Sequence, residues 1–352
     1  MLKFILKRLA YGFLVIFGVI LVVFFLFHAL PGDPVSMMAG QRTDESTRQA
    51  ISHELGLDKP LHVQFVHYIK DLAPIAIHKD DQASRQKYEY VKLFPTDGEH
   101  ALVLKRPYLR RSFQSNQRVD DILLKNIEAT FWLAFASMLF ATVFGILFGV
   151  LAALRQNTFW DNFLVTVSVL GISVPSFVAA IIISMVFGYY LSDYTGLNLT
   201  GQLWSIDPFG GKELHLENLI LPAFTLGIRP LSIIMQLTRS SMLEVMKMDY
   251  IRTALSKGLP FHKVVFKHAL RNALNPVITA VSGWLASLLT GAFFVELVFD
   301  WKGFGFVTIM AVQSLDFPVI MGGTFFIATI FVFANIIVDV LYALLDPRVR
   351  LD

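Results

Sequence analysis

The sequence contains no cysteine and few charged residues, which make up only 16% of its 352 positions. Without cysteine the chain forms no disulfide, no thiolate metal site and no cysteine nucleophile. An ordinary soluble domain is about 25% charged and about 45–50% apolar. Because 55% of this chain is hydrophobic, the composition predicts a protein that crosses a membrane several times.

Motifs for nucleotide binding and for hydrolysis are missing from the sequence as well. The phosphate-binding motif G-x-x-x-x-G-K-[ST] does not occur, so the ATP of an ATP-driven process would be bound and hydrolysed by another polypeptide. The absence of H-E-x-x-H and G-x-S-x-G weighs against an intramembrane protease. The net charge is only +3 and the basic residues are scattered, which argues against nucleic acid as a partner. We therefore expect a non-catalytic chain with no cofactor of its own.

Six hydrophobic segments are long enough to cross a bilayer, which takes about 20 residues. They are Leu9–Leu30, Ile127–Ala153, Asn162–Tyr190, Leu219–Leu237, Val277–Val298 and Val319–Leu345. The predicted fold is all-α, with an N-terminal anchor and first helix (1–30), a large extracytoplasmic loop (31–126) and a five-helix core (127–352). The first segment lacks an A-x-A cleavage pattern and is interpreted as a retained helix.

The distribution of Lys and Arg in the short loops predicts the orientation of the spans. Basic residues concentrate before the first span, in the 239–275 loop and after the last span. Both termini and the 239–275 loop are therefore predicted to be cytosolic, which places the large loop outside the cell.

The large loop offers no obvious chemistry. Its charged part, Pro74–Pro107, is predicted to be an exposed insertion. Its histidines lack the spacing of metal ligands and are interpreted as solvated loop residues; they are His53, His62, His67, His78 and His100.

The polar, basic 239–275 loop interrupts an otherwise lipid-soluble sequence. Asp249 is predicted to be the N-cap of a short helix, and Gly258 followed by Pro260 ends it. Apolar residues of this helix would fill a groove in a partner, and polar residues would line the rim of that groove. The apolar residues are Tyr250, Ala254 and Leu255, and the polar residues are Arg252, Ser256 and Lys257. A second basic helix is expected over Phe261–Ala273. The physical alternative, a basic amphipathic loop resting on anionic lipid, stays open at this point.

The residues of this loop resemble the cytosolic coupling loop of binding-protein-dependent ABC importer permeases, in the dipeptide and oligopeptide branch. In that family an alanine-rich triplet ends four residues before a glycine. Here the triplet is Arg252-Thr253-Ala254 and the glycine is Gly258. Other segments are similar to the same branch: Leu30-Pro31-Gly32-Asp33-Pro34, Leu55-Gly56-Leu57-Asp58-Lys59-Pro60-Leu61, Val174-Pro175-Ser176-Phe177, Trp301-Lys302-Gly303-Phe304-Gly305 and Leu344-Leu345-Asp346-Pro347-Arg348. Lys302 stands where the branch usually has proline, and the Pro74–Pro107 stretch is longer than usual.

The resemblance implies a multi-pass permease subunit of a bacterial inner membrane, the first of two homologous permeases in a heterodimer. Two partner ATPase subunits would bind ATP and Mg²⁺, and an extracytoplasmic binding protein would deliver a peptide. The resemblance also implies which residues couple to the ATPases: Asp249, Tyr250, Arg252, Thr253, Ala254, Lys257 and Gly258. Alternatives are a permease of this class for glutathione, a nickel chelate or an oligosaccharide, and less readily an ion-driven secondary transporter, for which the sequence shows no internal repeat.

Three residues inside the spans are candidates for the translocation pathway, namely Arg229, Glu296 and Pro175. Ionisable groups at membrane depth are costly, at roughly 2.5–3.5 kcal/mol each, and therefore mark functional positions. For Arg229 two interpretations stay open. It is either a solvated or carbonyl-bonded structural residue, or a contact for a peptide carboxylate.

Overall fold

The computed structural model describes residues 2–29, 49, 52, 58–95, 99–207, 210–289 and 292–345. The Pro31-Gly32-Asp33-Pro34 motif, His53 and the end of the C-terminal motif lie outside the described residues. The described part is dominated by helices, as the sequence predicts.

The elements are labelled in chain order. The helices are α1 (Leu2–Ala29), α2 (Leu61–Leu72), α3 (Gln82–Tyr88), α4 (Val119–Leu154), α5 (Phe159–Ser173), α6 (Ser176–Ile183), α7 (Ser192–Thr195), α8 (Glu217–Val245), α9 (Asp249–Ser256), α10 (Phe261–Lys263), α11 (Leu270–Ala273), α12 (Asn275–Leu289), α13 (Phe293–Val298), α14 (Phe304–Gln313) and α15 (Phe317–Leu345). Two π-helical pieces continue α6 and α10, namely π1 (Ser184–Tyr190) and π2 (Val264–Ala269). The strands are β1 (Ile75–Lys79), β2 (Val91–Pro95), β3 (His100–Leu104), β4 (Trp204–Asp207) and β5 (Gly211–Leu214).

Four helices of the described chain are long and apolar enough to cross a membrane, and a bent pair of helices makes a fifth span. They are α4, α8, the Leu6–Phe27 part of α1 and the Phe317–Val340 part of α15. Six spans were predicted from the sequence. The difference arises at Val277–Val298, where the chain forms the 15-residue helix α12 and the separate short helix α13 instead of one long helix. The prediction of an all-α membrane protein is confirmed.

The bent span lies where the sequence places proline. Helices Phe159–Ser173 and Ser176–Tyr190 meet at an angle of 108°, with Val174 and Pro175 between them in extended conformation. Proline cannot donate an amide hydrogen bond and clashes with a preceding helical turn. Pro175 therefore interrupts the third predicted span, Asn162–Tyr190.

The chain forms two compact units. One comprises Met1–Leu9, Asn126–Phe306 and Ile330–Asp352. Its central helix, α8, contacts α5, α6, α11, α12 and α13. Helix α4 also approaches α8 closely, because a Cβ at Gly149 would lie only 2.5 Å from Thr238 Cβ. Only glycine permits this separation of the two helices.

The other unit comprises Ala10–Lys125 and Val307–Thr329. It contains a three-stranded antiparallel sheet of order β1-β3-β2, with Ala76 paired to Val103 and His78 to Ala101. Val103 and Ala101 are completely buried. Most described side chains of Pro74–Pro107 are exposed, as expected of an exposed insertion, but its short strands and α3 also surround a few buried residues.

A buried polar network lies in this second unit. Tyr88 donates a hydrogen bond of 2.8 Å to the Asp71 carboxylate, and the Lys105 ammonium donates to the Asp71 carbonyl. Burial lowers the pKa of Lys105 to about 8. His78 stacks on the Tyr88 ring with 4.2 Å between ring centroids. Burial, followed by the nearby Lys105 charge, lowers the pKa of His78 to about 4. His78 is consequently a packed, neutral side chain, and the interpretation of it as a solvated loop residue is wrong.

Candidate functional site

The short helix α9 begins one residue earlier than the sequence predicts. Met248, not Asp249, has the extended backbone of an N-cap, with φ −72° and ψ 148°. The Met248 carbonyl accepts from the Ile251 amide at 3.1 Å and opens the helix. Asp249 is thus the first helical residue, and its side chain is 97% exposed. The predicted capping role is wrong, although a carboxylate in the first turn still favours the helix dipole.

The C-terminal end of α9 is a Schellman motif built around Gly258. The Gly258 amide donates to the Leu255 carbonyl at 2.9 Å, and the Leu259 amide donates to the Ala254 carbonyl at 3.3 Å. These two bonds define the motif. They require a left-handed backbone at the first residue beyond the end of the helix, which is Gly258. Gly258 has φ +76°, and a Cβ placed on it would meet no atom within 4 Å. The requirement for glycine is therefore conformational, and the prediction that Gly258 ends the helix is confirmed.

One face of α9 is packed against the rest of this chain. Ile251 is 1% exposed and Ala254 is 8% exposed. They lie in an apolar cluster with residues of α4, α8, π2 and α11; its other buried members are Val150, Ala153, Met242, Val245, Val264, Val265, Ala269 and Ala273. The prediction that Ala254 fills a groove in a partner is therefore wrong, since Ala254 is used to anchor α9.

The opposite face of α9 is open. Tyr250 and Leu255 are exposed to 39% and 43%, and the Arg252 side chain is 74% exposed. Thr253, Ser256 and Lys257 are exposed as well. Arg252 lies 3.7 Å from the Asp249 carboxylate, a solvated pair that contributes little to stability. This face offers apolar surface flanked by cationic groups.

The second basic helix is formed by α10, π2 and α11 in succession, as Phe261–Ala273 predicts. A π-helical stretch inside a helix often occurs at functional positions. Here it brings Val264, Val265 and Ala269 into the cluster under α9, while Phe266 is 60% exposed. Its last piece also holds α9, because Asn272 Nδ2 donates to the Tyr250 hydroxyl at 2.8 Å.

Arg229 and Pro175 lie at the same bend. Arg229 is exposed, and its Nη2 is 3.5 Å from the carbonyl oxygen of Ile172, in the last turn before Pro175. At that distance the hydrogen bond is weak. The guanidinium is therefore accessible beside the break in the chain.

Glu296 has a different environment, since it is completely buried. Its carboxylate accepts from the Thr130 hydroxyl at 2.7 Å and from the Phe306 amide at 2.8 Å. A Cβ at Gly303 would lie 2.6 Å from Glu296 Oε2, and one at Gly305 would lie 3.0 Å from it. The glycines of the Trp301-Lys302-Gly303-Phe304-Gly305 motif thus make room for this carboxylate. Sequence reasoning missed Thr130, because a threonine in a hydrophobic run carries no signal of its own.

Among the residues that the structure describes, no three histidines or acidic side chains are placed to hold a metal ion.

Family models match almost the whole chain. Residues 145–351 match the inner membrane component of binding-protein-dependent transport systems, and residues 1–134 match the N-terminal region of such membrane components. The chain belongs to this family. As a member it is a non-catalytic permease subunit, a multi-pass inner-membrane protein whose family operates with an ATPase and a substrate-binding protein.

Curated members of the family are similar over their full lengths. The di/tripeptide transport system permease protein DppB of Pseudomonas aeruginosa is 37% identical over 366 residues, covering 99% of each chain. The dipeptide transport system permease protein DppB of Escherichia coli K12 is 35% identical, again with 99% of each covered. The glutathione transport system permease protein GsiC of Salmonella typhimurium is 34% identical over 351 residues and 99% of each chain.

Proposed function

We propose that this permease moves short peptides across the inner membrane, with the energy supplied by ATP in separate subunits. The observation that carries the proposal is the geometry of α9, which is anchored through Ile251 and Ala254 and open on its other face. The peptide substrate rests on the two relatives named for dipeptides and di/tripeptides.

In this proposal α9 is the element that docks into the ATPase. Tyr250, Arg252, Thr253 and Lys257 would contact the ATPase surface, because their side chains are exposed. Ala254 and Gly258 would act through this chain, the first as an anchor and the second by shaping the end of the helix. Asp249 would sit at the edge of the contact with its side chain 97% exposed. An amphipathic helix seated in a groove is a common mode of protein recognition.

The complete transporter would contain a second, homologous permease, two ATPase subunits that bind ATP and Mg²⁺, and an extracytoplasmic binding protein. Both termini and the 239–275 loop would face the cytosol, and the 31–126 region would face outward. Closure of the ATPases on ATP would displace α9. Because α9 packs tightly against α8, the displacement would shift the spans between two arrangements, as expected of a two-state change biased by a ligand.

The candidate pathway residues differ in their suitability. Arg229 is accessible beside the bend at Pro175, which suits a contact with a passing carboxylate. Glu296 is enclosed by Thr130, Gly303 and Phe306 of its own chain, which supports a structural role. We retain Arg229 and Pro175 as pathway candidates.

Reconstitution of the permease with its partner subunits in liposomes tests the function. We expect uptake of a labelled dipeptide that requires hydrolysable ATP and the binding protein. Uptake that persists with a non-hydrolysable analogue would contradict the proposal and favour an ion-driven transporter. Glutathione is the second candidate substrate, because one relative is named for it; the same vesicles would then accumulate glutathione and not the dipeptide.

A further inference from the structure

A two-pronged ion pair joins α5 to α8. Arg239 Nε lies 2.6 Å from Asp161 Oδ1, and Arg239 Nη2 lies 2.7 Å from Asp161 Oδ2. The Asp161 side chain is only 1% exposed. It accepts a further bond of 2.9 Å from the Asn157 amide. A bidentate arginine–carboxylate pair fixes geometry as well as supplying energy. None of the roles assigned above uses this pair.

The same two helices stay in close contact beyond the ion pair. Gln236 Nε2 donates to Ser168 Oγ at 3.1 Å. Nearer the bend, a Cβ at Gly171 would lie 2.6 Å from Ser232 Oγ. Helix α5 is therefore fastened to α8 from its first turn almost to its last, and it ends immediately before the 108° bend.

The C-terminal end of α8 leads to α9, the helix that docks into the ATPase in the proposed function. Met242 and Val245 of α8 are buried in the cluster that also contains Ile251 and Ala254 of α9. Arg239 precedes them in the same helix. A continuous series of contacts thus runs from α9 through the end of α8 to Asp161, and along α5 to the bend.

We propose that Asp161 and Arg239 are positioning residues that make α5 move with α8, so that a displacement of α9 reaches the bend at Pro175. The proposal rests on the proposed function, in which the ATPases displace α9. Separating a buried ion pair leaves an uncompensated charge, which is strongly unfavourable. Tightly packed helices shift as units and do not deform continuously. The pair consequently stays closed while the two helices move together.

The first test breaks the pair in the complete transporter. Asp161→Asn removes the charge, and Arg239→Lys keeps a charge but loses the planar two-pronged geometry. With either variant we expect uptake to fall about tenfold, within the usual range of coupling free energies, while ATP hydrolysis persists. More ATP is then spent for each peptide imported. Asp339→Asn is the control, because it removes the 3.0 Å pair with Arg8, which lies off this series of contacts.

The second test replaces the ion pair with a covalent link, which the absence of cysteine in the chain makes clean. Cysteines at positions 171 and 232 would sit close enough for a disulfide, whose Cβ atoms are about 3.5–4.5 Å apart. Because Gly171→Cys alone adds a Cβ 2.8 Å from Ile228 Cγ2, the reduced double-cysteine protein is the reference for the cross-linked one. We expect oxidation to leave the uptake of this reference unchanged when Asp161 is present, and to restore uptake when Asp161→Asn is added. If the pair had a purely structural role, the cross-link would not lower the number of ATP molecules that Asp161→Asn hydrolyses for each peptide imported.

Two results would overturn the inference: normal coupling in Asp161→Asn, or a loss of transport when the reduced double-cysteine chain that retains Asp161 is oxidised. The second remains decisive if Asp161→Asn fails to assemble. A wild-type complex whose uptake does not require ATP would instead overturn the proposed function, so the two failures are distinguishable.

Discussion

Thr130 Oγ1 lies 2.7 Å from Glu296 Oε1, although 166 residues separate them in the sequence. The same hydroxyl oxygen accepts from the Phe304 amide at 2.8 Å, and the other carboxylate oxygen accepts from the Phe306 amide. One threonine and one glutamate therefore connect α4, α13 and the first turn of α14. The connection is completely enclosed by protein.

Glu296→Ala should destabilise the protein, because it leaves the Thr130 hydroxyl and the Phe306 amide without their acceptor. Leaving a buried donor unsatisfied costs about 1–3 kcal/mol, whereas removing both partners of a hydrogen bond can be nearly neutral. Thermal unfolding of the purified permease in detergent measures the effect. Glu296→Gln keeps one acceptor oxygen and should lose less.

The control for this prediction is Asp193→Ala, since Asp193 is an exposed acid in the short helix α7. We expect almost no change there. Equal unfolding temperatures for the two alanine variants would contradict the role assigned to Glu296.

Gly258→Val should reduce coupling without creating a steric clash. No atom lies within 4 Å of a Cβ at this position, but φ is +76°, and a left-handed backbone costs an L-residue roughly 1–2 kcal/mol. The Schellman end of α9 would then relax, and ATP-driven uptake would fall. Gly258→Asn should be tolerated much better, because asparagine also adopts this conformation.

Gly196 provides a matched control for Gly258. It has φ +65° and an equally open Cβ position, but it closes α7 and not α9. Gly196→Val introduces similar strain and should leave uptake unchanged. If both valine variants transport equally well, the end of α9 is not required for coupling.

Local patterns in the sequence located most of the helices and the C-terminal end of α9. Gly258 and Pro175 act on their immediate neighbours, so their effects could be read without the fold. The apolar runs likewise predicted long helices. The N-cap was misplaced by one residue because capping depends on backbone dihedrals at Met248 and Asp249, which a side-chain preference indicates only approximately.

Contacts between distant segments could not be predicted in this way. Asp161 pairs with Arg239 across 78 residues and Lys105 reaches Asp71 across 34. Nothing near either residue specifies its partner. The small sheet was missed for a related reason, since β1 and β3 have only five residues each. Their alternation is too short to stand out among the charges of that region.

The stability of the unit that contains the β1-β3-β2 sheet should depend on the protonation of His78. Its pKa is about 4 in the folded chain and 6.5 ordinarily, so the unfolded chain binds a proton more readily between these values. Stability should therefore be complete above pH 6.5 and decline as the pH falls towards 4. Because His78 is only half-buried, solvent screening will moderate the decline.

His78→Phe isolates this titration, since phenylalanine keeps the stacking on Tyr88 and carries no proton. Unfolding temperatures of both proteins between pH 4 and pH 8 give the comparison. We expect the difference between them to grow below pH 6.5 in favour of the variant. Parallel curves would show that His78 does not titrate in this window.

Substitutions on the two faces of α9 should have opposite signatures. Arg252→Glu changes an exposed side chain, so the permease should remain as stable as the wild type. Its association with the ATPase subunits should weaken at least about tenfold, equivalent to 1.4 kcal/mol, because a reversed charge at an interface opposes the partner's complementary surface. Co-purification of the subunits measures the loss.

Ile251→Ala changes the buried face of the same helix, where the side chain is 1% exposed. Truncating a buried isoleucine costs about 2–5 kcal/mol, so thermal stability should fall even in the isolated permease.

If Arg252→Glu leaves association with the ATPase intact but weakens binding of the permease loop to anionic lipid, α9 rests on the membrane surface and not on a protein partner. The docking role would then be wrong, whereas the anchoring of α9 through Ile251 would stand.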